Sequence, residues 1–104
     1  MKIPKTIKIG GHKVKIIIVD KLKNDIADCG MCQVAANKIW IATHTPDDEI
    51  IPLEIQVETL LHEILHFLSI QGGFGVQEKI VTSFASGLYQ VIKDNKLFTL
   101  WERS

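Results

Sequence analysis

The chain has 104 residues, of which 46% are hydrophobic and 23% charged, and its basic and acidic side chains cancel to a formal net charge of zero. That length fits one compact domain with no internal repeat, spanning 1–104, and the composition excludes the polar, highly charged class of disordered chains. The N-terminus has no apolar signal-type region and Ile16 to Val19 is far too short to span a bilayer, so the expected location is the cytoplasm, with no membrane partner.

Residues 5–9 and 12–19 alternate apolar and polar side chains around Gly10-Gly11, a dipeptide that accepts the positive φ angles of a tight turn. They predict an opening hairpin. Met1 to Lys23 carries seven lysines against the single acid Asp20, a bias that suits nucleic acid. Alternation of Lys8, Lys13 and Lys15 with Ile7, Ile9, Val14 and Ile16 explains the same lysines as a solvated strand face, so nucleic acid is not the expected partner.

Cys29 and Cys32 form a C-x-x-C pair. A zinc knuckle needs a second such pair and a redox motif needs a thioredoxin-like context; neither accompanies it, so two reduced thiols without a role are expected. Asn24 to Ala36 is a mixture of polar and small residues, and Lys38 to Thr43, with Ile39, Trp40 and Ile41, fits a third strand. His44 follows it.

Thr45-Pro46-Asp47-Asp48 is a turn or helix-start signal, but Pro52 argues against one uninterrupted helix, so the main helix is expected to begin near Pro52 and stop at Gly72-Gly73. Ile55, Leu60, Leu61, Ile64, Leu65 and Leu68 give it a broad apolar surface. A second helix is expected from Val76 to Asp94, with Ile80, Val81, Phe84, Leu88, Val91 and Ile92 recurring at spacings of three, four and seven, and the tail from Leu97 to Trp101 is expected to dock on the core. The fold class that follows is α+β: a small, mostly antiparallel three-stranded sheet packed on two main helices.

The first of those helices contains His62-Glu63-Ile64-Leu65-His66, the spacing H-E-x-x-H. Four residues advance about 400° around a helix, so His62 and His66 lie about 40° apart and one turn displaced, able to grip one ion, with Glu63 bordering the same place. Zinc lowers the pKa of a bound water to roughly 7, and an adjacent carboxylate takes the water's proton as it attacks a carbonyl. The neighbouring positions are uncharged, so a purely structural helix would favour aliphatic residues where the histidines and Glu63 stand.

A catalytic zinc site usually has three protein ligands and a water. Glu58, His62 and His66 span about 12 Å of one helix axis and do not converge readily, and Glu54 is worse placed. Glu78 lies past the glycine-rich reversal, near the start of the second helix, where the returning chain brings its carboxylate toward the histidines. It is the expected third ligand.

Thr59 to Leu68, followed by Glu78 to Leu88, resembles the short gluzincin metallopeptidases of the ImmA/IrrE type, many of which are encoded by phages and mobile elements. The resemblance runs over about residues 39–93. It implies two histidine ligands and a general-base glutamate from H-E-x-x-H. It also implies a ligand glutamate from an E-x-x-(A/V)-x-x-F-A pattern, matched by Glu78, Val81, Phe84 and Ala85. The function implied is zinc-dependent hydrolysis of a peptide bond in a peptide or protein substrate, with Glu63 activating the water.

An extended substrate is expected along the Ile39 to Ala42 strand. His44 and Tyr89 are weaker candidates for polarising its carbonyl; Tyr89 is better explained by packing, and His12 beside the hairpin turn is weaker still. Two alternatives stand beside hydrolysis: a non-catalytic zinc-stabilised binding domain, and a nucleic-acid-associated regulator using the basic ribbon. The oligomeric state is left open.

Overall fold

The computed structural model describes residues 2–22 and 29–97. Strands β1 (Thr6–Ile9), β2 (His12–Val19), β3 (Gly30–Gln33) and β4 (Lys38–Ala42) precede helices α1 (Leu53–Gly72) and α2 (Glu78–Asp94). The α+β class with two helices agrees with the expectation, and three layers result: sheet, α1, and α2 outermost.

The β1–β2 hairpin turns at Gly10 and Gly11 with φ of 57° and 84°, a conformation that glycine adopts without steric cost. Lys8 and Lys13 sit opposite each other and, with Lys15, face solvent, while Ile9, Val14 and Ile16 are buried against α1.

The sheet corrects the expectation of three mostly antiparallel strands. It has four strands in the order β1-β2-β4-β3 and is mixed, because β2 and β4 pair in parallel from Lys15↔Lys38 to Val19↔Ala42. The overlooked strand is β3, whose Gly-Met-Cys-Gln sequence has neither alternation nor β-branched residues. Its strand state comes from a hairpin with β4, closed through Asn37 at φ 53°, and from packing on α1. A second correction follows: β4 lies inside the sheet with both edges paired, so among the described residues the unpaired edge beside α1 belongs to β3.

Two hydrophobic clusters meet on α1. Leu60 and Phe67, seven residues apart on one helix face, pack with Ile9, Val14, Ile16, Ile39 and Ile41 of the sheet. Val57 and Leu61 pack instead with Ala85 and Tyr89 of α2. Not all the apolar positions expected inside are there: Ile55 and Leu68 of α1 and Ile80, Phe84, Leu88 and Val91 of α2 are exposed. Among the described residues α1 is the element that covers α2, which buries the stripe Val81, Ala85 and Tyr89 and leaves its second apolar stripe exposed. Leu97 is exposed, and the expected docking of the tail falls on residues 98–104, outside the described residues. No helix among the described residues is long and apolar enough to cross a membrane.

Candidate metal centre

α1 starts after Pro52, whose lack of an N–H costs nothing at a helix start, and runs unbroken to the left-handed Gly73 at φ 71°. His62 and His66 therefore stand one turn apart on it. Their Nε2 atoms face each other at 3.1 Å, with ring centroids 4.7 Å apart.

What brings Glu78 to them is the turn between the helices. Buried Ser69 accepts the Val76 N–H at its Oγ at 2.8 Å and the Phe74 N–H at its carbonyl oxygen at 2.9 Å. With Gly73 and Gly75 both at positive φ, these bonds fold the link tightly onto the end of α1. Glu78 is then the first residue of α2, where the exposed N–H groups of a helix start favour a carboxylate. Its Oε1 lies 2.8 Å from His62 Nε2 and its Oε2 2.5 Å from His66 Nε2.

His62, His66 and Glu78 offer one donor atom each within 4.8 Å of one another, the arrangement expected of metal ligands. The donor set suits zinc: two imidazole nitrogens and a carboxylate oxygen are the ligands of many catalytic sites, and tetrahedral zinc would separate the two nitrogens by about 3.3 Å. Two imidazole nitrogens aimed at each other and at a carboxylate also need a shared cation or proton between them, since lone pairs alone repel.

Glu63 points elsewhere. It is the sole buried acidic residue among the described residues, at 8% exposure, and a buried carboxylate is costly unless it is partnered. Residues of β3 are among its neighbours. A Cβ placed on Gly30 would come within 3.1 Å of Glu63 Cγ, 3.2 Å of Glu63 Oε2 and 2.6 Å of Thr59 Cγ2, so only glycine lets the strand approach this closely. Two residues on, burial first, then the charge of the nearby Glu63 carboxylate and its capacity to accept from the thiol, push the Cys32 thiol up to about 11.

The remaining candidates do not join the group. His44 Nδ1 is 2.8 Å from Thr43 Oγ1, and Glu54 pairs with Lys93 at 3.2 Å. Tyr89 is buried between the helices, as its packing reading required, and His12 is exposed at the hairpin. Cys29 and Cys32 form no disulfide; Cys29 accepts the Ala42 N–H and so continues the β3–β4 ladder, which holds the two cysteines about 10 Å apart along an extended strand, beyond disulfide reach. Gly30, Cys32 and Ser69 were invisible in the sequence: the C-x-x-C pair reads there as two reduced thiols without a role, which does not place a thiol near Glu63.

No family model matches the chain, and neither the curated proteins nor the solved structures give a match.

Proposed function

We propose that the protein is a minimal zinc-dependent peptidase of the gluzincin type, resembling the ImmA/IrrE metallopeptidases, that hydrolyses a peptide bond in an extended peptide or protein segment. The observation behind this reading is the convergence of His62, His66 and Glu78 at one point, with Glu63 following His62 on the same helix. His62 and His66 would hold the ion through Nε2 and Glu78 through its carboxylate. Zinc there would supply a bound water with a pKa near 7 and polarise a carbonyl. Glu63 would take the proton of the attacking water and return it to the leaving amine.

The substrate segment pairs with β3. Ala42 N–H donates to the Cys29 carbonyl, so Cys29 and Ala42 are a hydrogen-bonded pair, and alternation then turns the backbone groups of Gly30 and Cys32 away from β4 to the open edge. An extended peptide added there runs past Glu63. A fourth protein ligand would favour a purely structural zinc site, and no such residue joins the three among the described residues.

Glu63→Gln tests the reading, because it keeps size and polarity while removing the base. The variant is expected to fold and to bind zinc as the parent does, yet to lose about 10² to 10⁴-fold in turnover of a quenched-fluorescent peptide library. Retained turnover would remove Glu63 from the chemistry. A fully zinc-loaded parent with no turnover at all would favour the non-catalytic zinc domain.

A further inference from the structure

We propose that Cys32 is a positioning residue for Glu63: its thiol donates a hydrogen bond to the carboxylate and fixes it against the strand whose open edge receives the substrate. The inference rests on the reading of Glu63 as the base. Its geometry comes from the alternation of β3, where Gly30 and Cys32 share the face toward α1. Gly30 admits the Glu63 side chain to within contact of the backbone, and Cys32, packed at the margin of the sheet–α1 core, closes on the same carboxylate.

The same two residues turn their backbone groups to the open edge. A peptide pairing with Gly30 and Cys32 would therefore settle the strand segment that holds the base, so that substrate engagement and base alignment are mechanically one event. The raised thiol pKa agrees, since a thiol that stays protonated at neutral pH is a hydrogen-bond donor and not a thiolate ligand competing for the ion.

The test uses the zinc-loaded Cys29→Ser protein, in which Cys32 is the single thiol because the chain has two cysteines. Its S–H stretch, read by infrared spectroscopy in a window clear of other protein bands, is expected below that of a water-exposed thiol. The band should rise when Glu63→Gln is added, because an amide oxygen accepts more weakly than a carboxylate. A band unmoved by Glu63→Gln overturns the proposal. In turnover of the same peptide library, Cys32→Ala should lower kcat about tenfold, a part of the 10² to 10⁴-fold that a general base supplies. KM should change by less than about twofold and zinc affinity should be unchanged, while Cys32→Ser, which keeps a donor, restores most of kcat. Equal kcat in parent, Cys32→Ala and Cys32→Ser would also overturn it. A zinc-loaded parent without turnover would instead overturn the hydrolytic reading, and the S–H band would still decide the contact with Glu63.

Discussion

The two seams that hold α1 differ in size, and the candidate centre straddles them. On the sheet side, seven buried residues from β1, β2, β4 and α1 interlock; on the α2 side, four buried residues do so. Both histidines stand on the helix anchored by the larger seam, whereas the third ligand, Glu78, rides on the helix held by the smaller one. A metal bound by all three residues therefore ties α2 to α1, and binding energy at the centre becomes docking energy for the outer helix.

The larger seam should break hardest. Phe67→Ala removes a fully buried ring from the middle of the sheet contact and should cost about 3–5 kcal/mol in urea unfolding of the zinc-loaded protein. Glu78→Ala leaves both seams intact but should weaken zinc by at least about 100-fold in competition with a chromophoric chelator, since even residues that only support ligands are worth 10–100-fold. Unchanged affinity would turn attention to another third ligand.

Smaller again is Val81→Ala, at the foot of the α1–α2 seam beside Glu78, expected to cost about 1–2 kcal/mol. Hydrogen exchange sharpens the comparison: in the parent, chelating the metal should speed exchange in α2 well before it affects β2 and β4, and Val81→Ala should enlarge that difference. Uniform loss of protection through the whole chain would contradict the two-seam description.

Which seam a residue would join was only partly legible. The β1–β2 hairpin and α1 could be read because alternation, Gly10-Gly11, Pro52 and Gly72-Gly73 are local signals, and the H-E-x-x-H spacing needs nothing more than the helix that carries it. Parallel pairing of β2 with β4 is a tertiary choice with no local signature. α2 offers two apolar stripes of similar strength, and periodicity does not say that Val81, Ala85 and Tyr89 turn inward while Phe84, part of the pattern that suggested a gluzincin, faces out at 65% exposure. Glu78 could be placed near the histidines from the short glycine link, but the Ser69 bonds that fold that link could not.

A pH-dependent effect concerns β3, the edge strand that neither seam covers fully. The folded protein holds the Cys32 thiol at about 11 against an ordinary value of 9.0, through burial and the Glu63 charge. A pKa raised by folding gives stability that is intact below about pH 9 and is lost as pH climbs toward 11, because the unfolded chain releases its proton first. Between those values the parent should lose stability more steeply than Cys32→Ser, whose hydroxyl does not titrate there. Parallel stability curves for the two proteins would place the thiol in a wetter setting.

Zinc K-edge X-ray absorption on the stoichiometrically loaded protein reads the His62, His66 and Glu78 ligand set itself. A first shell of nitrogen and oxygen only is expected, about four atoms at 2.0–2.1 Å, with outer-shell scattering from two imidazoles that falls to one in His62→Ala. A sulfur neighbour at about 2.3 Å, or two-imidazole scattering that His62→Ala leaves unchanged, would contradict it.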